Sequence, residues 1–315
     1  MIYLVWVPLL MPFLAVPAAR RVAAALSPRH AAWLLTAAAL ALAAGSSAAM
    51  ALLVVPGASY LPAVAVLGEL LEPLTAGPPA LTIALALAAG GLLAWRTAVL
   101  AVAAHRHRAD LRRARIAVGG TDGELAVLRD SSPDAYALPG RPGRIVVTTG
   151  MLRALEPAER EALFAHERAH LRGRHHVLLA AVELAALCHP ALRALREPLG
   201  YALERTADEA AAVAVGDRRL AARAIGRAAL AARAAGTPGR VRPRAVLAAT
   251  AGPVPRRVAA LLGAEASAPP AAPRTGRLVA GLLLICLTLS GATVLGAAND
   301  LHTHIEIAQG ESAAK

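Results

Sequence analysis

Charged and aromatic residues are scarce in this sequence of 315 residues. Charged side chains make up 17% of it and aromatic ones 3%, whereas hydrophobic residues, mostly Ala, Leu and Val, reach 57%. The mean hydropathy is clearly positive, at +0.52. This balance argues against an ordinary soluble domain and is typical of a membrane protein that carries a polar domain.

Cysteine and lysine are also rare. The two cysteines, Cys188 and Cys286, cannot build a disulfide framework, and we expect no bridge because Cys286 lies in an apolar segment and Cys188 does not. Lysine occurs only at Lys315, so arginine carries the net charge of +12. The arginines lie largely between the third and fourth apolar segments, without interleaved aromatic residues, and the sequence has no recognised nucleic-acid-binding motif. We therefore expect contact with anionic lipid headgroups and no direct nucleic-acid binding.

Four apolar stretches are long enough to cross a bilayer, which takes about 20 residues. They cover residues 1 to about 19, 31–55, 80 to about 104, and 278–298. The first contains three prolines and ends in small residues, so a signal peptide is an alternative for it. No Lys or Arg precedes its apolar run and Arg20 follows it directly, which favours a retained span.

Arginine is distributed unevenly among the loops. The loop after the first span and the segment after the third are rich in arginine, whereas the loop 56–79 has no Lys or Arg and the tail 299–315 is net acidic. The positive-inside rule then predicts that the N-terminus and the tail lie outside and that the segment from 105 to 277 is cytoplasmic. Within that segment we expect a folded domain at 105–235 and a loosely ordered connector, rich in Pro, Ala and Arg, at 236–277.

The predicted domain alternates strand and helix signals. Short strands are expected at 127–129, 135–138 and 145–149, and helices at 157–173, 177–187, 199–215 and 221–235. The strand at 145–149 precedes the first of these helices. As an exposed edge strand it would bind an extended peptide by strand addition, and an internal strand is the alternative.

The first helix contains His166-Glu167-Arg168-Ala169-His170. Residues four apart lie on one face of a helix, so both imidazoles can reach one zinc ion. Glu167 would then act as the general base on the attacking water. A surface helix with two solvated histidines is the alternative for so short a motif.

A later helix offers the third ligand that a catalytic zinc requires. Glu204 and Asp208 are four residues apart, so Glu204 can complete a His₂Glu set while Asp208 accepts a hydrogen bond from a ligand imidazole. An ordinary solvated acidic face is the alternative. His175 is expected to be solvated or near the membrane surface. Tyr201 and Arg205 are weak candidates for stabilising the oxyanion.

These motifs resemble the membrane metallopeptidases of the BlaR/MecR antirepressor type. The similarity lies in the order of three spans, zinc domain and fourth span, in Ala135-Tyr136-Ala137, in the strand to Gly150, and in the segments 166–170 and 204–208. The resemblance implies an α-helical membrane protein of four spans with a cytoplasmic α+β gluzincin-like zinc peptidase domain, in a bacterial cell membrane. It also implies that His166, His170 and Glu204 bind Zn²⁺, that Glu167 is catalytic, and that Asp208 supports the ligands.

The chain departs from that type after the fourth span, where we expect no penicillin-binding sensor domain because the tail is short and lacks Ser-x-x-Lys. A signal would then come through the spans or through a sensor partner in the membrane. The substrate is expected to be a protein or peptide, such as a transcriptional repressor. The alternatives are a quality-control protease similar to the HtpX type and a non-catalytic membrane sensor or scaffold.

Overall fold

Four long helices dominate the computed structural model of the chain, which describes residues 2–74, 77–119, 123–235, 253–263 and 274–310. They are α1 (Ile2–Ala24), α2 (Pro28–Ala58), α4 (Pro79–Val118) and α11 (Arg274–Ala308), with the short α3 (Pro62–Leu67) between α2 and α4. All four are long and apolar enough to cross a membrane. Each extends beyond its predicted span, and α11 continues through most of the predicted tail, of which residues 311–315 lie outside the described part.

A contact between α1 and α2 replaces a backbone hydrogen bond that the prolines of α1 prevent. Because Pro12 has no N–H, it cannot donate to the carbonyl of Pro8 as a helix would require. The Ser46 hydroxyl of α2 donates to that carbonyl instead, at 3.0 Å. Ser46 is fully buried. A polar residue in an apolar helix therefore satisfies a backbone group that would otherwise have no partner.

The sheet has three short strands, β1 (Leu125–Leu128), β2 (Ala135–Leu138) and β3 (Arg144–Thr148), in the order β1-β3-β2. β3 pairs with β1 in parallel and with β2 in antiparallel. The predicted strand at 145–149 is therefore central, and the edge-strand interpretation is wrong. Its run of β-branched residues is buried on both faces, which is the pattern of an internal strand. The strand predicted at 127–129 lies at 125–128.

Most of the remaining helices come after the sheet in the sequence, with short connections between them. They are α5 (Thr149–Ala154), α6 (Pro157–Arg172), α7 (His175–Cys188), a 3₁₀ helix (Pro190–Leu195), α8 (Arg196–Val215) and α9 (Arg218–Ala234). The start of α6 is fixed by a capping box in which Glu156 and Glu159 each accept from the other's backbone N–H, with Pro157 at the first helical position. Gly150 allows the turn out of β3, since a Cβ there would lie 2.1 Å from the carbonyl oxygen of Ser131.

One further helix, α10 (Val254–Gly263), lies inside the predicted connector. The expectation of a loosely ordered segment is wrong for this part, and residues 236–252 and 264–273 lie outside the described residues. Val254, Val258 and Leu261 follow a helical spacing, and they pack against the small residues of α8 and α9. The high proline and arginine content of this segment is typical of a loose connector, although the segment contains a helix with one apolar face.

The spans and the domain share one hydrophobic core. Leu178 and Val182 of α7 and Leu203 of α8 belong to the same buried cluster as Leu35 of α2 and Leu283 of α11. The ring of His189, at the end of α7, also hydrogen-bonds the carbonyl of Leu9 in α1, at 3.0 Å. The domain is consequently packed directly onto the apolar helices rather than attached to them by a linker.

Candidate active site

The two histidines of α6 point their ring nitrogens at one another. Nε2 of His166 lies 3.1 Å from Nε2 of His170. The side chains of His166 and His170 are 0% and 4% exposed. Their spacing of four residues puts both rings on one face of the helix, as the sequence predicts.

Glu204 of α8 completes a triangle with these nitrogens. Its Oε2 lies 3.6 Å from Nε2 of His166, and its Oε1 lies 3.5 Å from Nε2 of His170. A tetrahedral ion with bonds of about 2.0–2.1 Å holds its ligand atoms about 3.3 Å apart. The carboxylate thus faces both nitrogens at distances close to those in a zinc site. With one ligand atom from each residue, the three atoms lie within 4.8 Å of one another and form a buried group that could hold a metal ion.

Each imidazole is oriented through its other nitrogen. Nδ1 of His166 lies 3.1 Å from Oδ1 of Asp208, and Nδ1 of His170 shares a hydrogen bond of 2.7 Å with Nδ1 of His175. Such partners hold the rings with Nε2 facing the metal position. The sequence predicts the Asp208 contact, but the expectation that His175 is solvated is wrong, because its side chain is buried.

The turn between α6 and α7 explains how His175 reaches His170. Arg174 adopts a left-handed conformation with φ of 48°. A Cβ on Gly173 would lie 2.4 Å from Nε2 of His175, so only glycine leaves room for this ring. The order Gly173-Arg174-His175, which begins three residues after His170, is the sequence signal for this contact. Helical periodicity alone does not reveal it.

Arg257 of α10 is the site residue that sequence reasoning missed entirely. Its side chain is 0% exposed. Its Nη1 lies 2.7 Å from Oε2 of Glu204, and its Nε and Nη2 donate to the two oxygens of Asp208 at 2.8 and 2.5 Å. A bidentate guanidinium–carboxylate pair is a strong, directional contact. Arg257 thus connects the candidate ligand of α8 to the carboxylate that orients His166.

Charge balance gives a second reason to expect a cation here. Glu167, Glu204 and Asp208 are all 0% exposed. In the metal-free protein Arg257 and the protonated ring of His166 supply two positive charges beside these three acidic side chains. Burying carboxylates without compensating positive charge is costly, and a divalent cation that replaces the proton of His166 would bring one more positive charge to the same position.

The surroundings shift the pKa values of the protein groups strongly. Burial lowers the pKa of His166, but hydrogen bonds to Asp208 and Glu204 outweigh it and raise the pKa to about 10. Burial and the neighbouring His166 lower the pKa of His175 to about 4. Although burial opposes it, the contacts of Asp208 with Arg257 and His166 lower the pKa of that carboxyl. His175 is therefore neutral at pH 7 and can share its proton with His170.

The two weak candidates for oxyanion stabilisation have contacts elsewhere. Arg205 pairs with Glu209 at 2.8 Å, and the ring of Tyr201 carries the guanidinium of Arg256 at 4.6 Å from its centroid. Neither contact directs the side chain toward the candidate metal ligands. The geometry therefore gives no support to the expectation that Tyr201 or Arg205 stabilises the oxyanion.

Part of the chain is similar to one known peptidase family. Residues 106–195 match the model of peptidase family M48. The match supports a metallopeptidase of that family, and hence a hydrolase that acts on proteins or peptides. It includes α6 and ends before α8, so the assignment of Glu204 and Asp208 depends on the geometry alone. Comparison with curated proteins and with solved structures gives no match.

Proposed function

We propose that this chain is a membrane-anchored zinc metalloendopeptidase whose ion is held by His166, His170 and Glu204. The observation that carries the proposal is the meeting of two Nε2 atoms, 3.1 Å apart, with the carboxylate of Glu204, one oxygen of which lies 3.6 Å from His166 and the other 3.5 Å from His170. These distances are close to the separation of about 3.3 Å between the ligand atoms of a tetrahedral zinc ion. Donor chemistry supports it further, because two imidazoles and one carboxylate are a ligand set of catalytic zinc.

Glu167 is the proposed general base. It follows the first ligand directly and is fully buried beside Arg257, whose pKa its charge helps to raise. When bound, zinc supplies a Lewis acid that polarises the scissile carbonyl and makes water a nucleophile at neutral pH. Glu167 accepts the proton of the attacking water and passes it to the leaving amine.

The remaining residues of the site hold this arrangement in place. Asp208 and His175 fix the tautomers of the two histidines, and Arg257 pairs with Oε2 of Glu204 and so fixes the orientation of that carboxylate. A purely structural zinc takes four protein ligands, whereas the group found among the described residues has three. The open fourth position favours catalysis over the non-catalytic scaffold.

The proposed substrate is a cytoplasmic protein such as a transcriptional repressor, cut at a specific site. The arginine-rich loops support the cytoplasmic location of the domain, and the order of three spans, domain and fourth span supports a regulatory role. Quality control of membrane proteins is the second candidate. It is favoured by the shared core, because a site packed directly onto the spans lies within reach of segments that emerge from the bilayer.

The test compares new protein N-termini in cells that produce the wild type or Glu167→Gln. Glu161→Gln is the matched control, since Glu161 is an exposed carboxylate of the same helix. One or two new termini in a DNA-binding repressor, made by the wild type and Glu161→Gln only, would support regulatory proteolysis. Many termini across membrane proteins would support quality control. Identical termini in all three strains under every condition would contradict the proposal of a peptidase.

A further inference from the structure

A groove of about 680 Å³ lies beside the candidate active site, on another face of α6. Its walls come from the first turns of α2, from α6 and the turn after it, from the start of α7, and from α8. The three candidate metal ligands are not among its lining residues. The groove is therefore a separate concave surface, and among its lining residues only His175 also belongs to the proposed peptidase site.

The lining of the groove is strongly basic. It includes Arg29, Arg168, Arg172 and Arg174, and it contains no Asp or Glu. Arg168 pairs with Glu124 at 2.8 Å. Within the described part of the chain, no ion pair engages the guanidinium of Arg29, Arg172 or Arg174. Three positive charges from three different elements thus converge on one concave surface.

The groove is also placed at the edge of a predicted span. α2 is apolar from residue 31 onward, and Arg29 precedes this run by two residues. Trp33, which lines the groove, is 58% exposed. Tryptophan at the start of a span and arginine next to it are the residues that membrane proteins place at the level of lipid headgroups.

We infer that this groove binds the phosphodiester headgroup of an anionic phospholipid. Arginine guanidinium groups match phosphate oxygens in charge and geometry, and basic pockets next to spans are the usual sites for anionic headgroups. The apolar part of the wall, with Trp33, fits the glycerol and the first methylenes of the acyl chains, which free phosphate lacks. This combination favours a lipid over a soluble phosphate.

The groove lies next to the candidate metal site. His175 is among the lining residues of the groove, and its ring hydrogen-bonds His170. A headgroup in the groove would therefore lie next to a residue that orients a candidate ligand. The binding itself does not depend on the proposed peptidase activity, so it can be tested independently.

The experiment measures binding of fluorescent phosphatidylglycerol to the full chain in nonionic detergent, at fixed salt. Unlabelled phosphatidylglycerol, phosphatidylcholine and inorganic phosphate are the competitors. The groove variant is Arg29→Gln with Arg172→Gln. The control variant is Arg106→Gln with Arg108→Gln, which removes the same charge from exposed positions of α4.

We expect the groove variant to weaken binding by about tenfold or more, the control to change it less than about twofold, and only unlabelled phosphatidylglycerol to compete well. Trp33→Ala, which changes an exposed residue without changing the net charge, should also weaken the binding of phosphatidylglycerol. Such a loss would show that binding depends on the groove and not only on the total charge. Equal losses in the groove and control variants would overturn the proposal in favour of diffuse attraction. Competition by inorganic phosphate as strong as by the lipid would overturn it in favour of a free-phosphate site.

Discussion

Replacing Arg257 by methionine should release α10 from the candidate active site. Methionine keeps much of the length of the side chain and removes its charge, which leaves Glu204 and Asp208 buried without the guanidinium that contacts both. Removing one partner of a buried ion pair costs about 3–5 kcal/mol. Because a factor of ten corresponds to about 1.4 kcal/mol, local opening of α10 should become roughly two to three and a half orders of magnitude more populated.

Hydrogen exchange of the α10 amides in the metal-free full chain measures this opening directly, since exchange reports the free energy of local unfolding. Arg256→Met is the control, because Arg256 is exposed and contacts the ring of Tyr201, a cation–π contact worth about 0.5–1 kcal/mol. The effect of Arg257→Met should shrink when zinc is added, since the ion supplies positive charge beside Glu204. Equal exchange in the two variants would show that the buried contacts contribute no net stability, and the reasoning would then be wrong.

Three further predictions concern the ion and the base. Glu167→Gln should retain zinc, measured by mass spectrometry of the purified protein, and lose about 10²–10⁴-fold in cleavage rate; cleavage near the wild-type rate would exclude it as the base. Glu204→Ala should lose zinc, whereas Asp208→Asn should bind it about 10–100-fold more weakly, and the reverse order would refute the ligand assignment. The pKa of His166 in the metal-free protein is raised to about 10, so this ring is protonated at pH 7.5 and must lose its proton when zinc binds. Calorimetry in two buffers of different ionisation enthalpy should therefore detect the release of about one proton for each zinc ion bound. The affinity for zinc should also rise as the pH increases toward 10. A heat of zinc binding that does not depend on the buffer would contradict this prediction.

Local patterns in the sequence predict much of this structure. Pro157 at the start of α6 and the four-residue spacing of His166 and His170 correctly predict this helix and the proximity of the two rings, because both features depend only on neighbouring residues of one helix. The four apolar helices are predicted for the same reason, since length and hydropathy are local properties. The ends of these helices were underestimated, because each continues into polar residues that tertiary contacts stabilise.

Only the tertiary structure determined what surrounds those ligands. Arg257 follows Asp208 by 49 residues, in a stretch whose composition is typical of a loose connector, and its role depends on the packing of α10 against α8. The burial of His175 depends on a left-handed turn and a glycine, and the central position of β3 depends on pairing with both neighbouring strands. Residue types and their spacing along the chain thus predict which side chains could bind a metal. The groups that hold those side chains in place could not be predicted in this way, because burial and charge pairing arise between segments that meet in space and not along the chain.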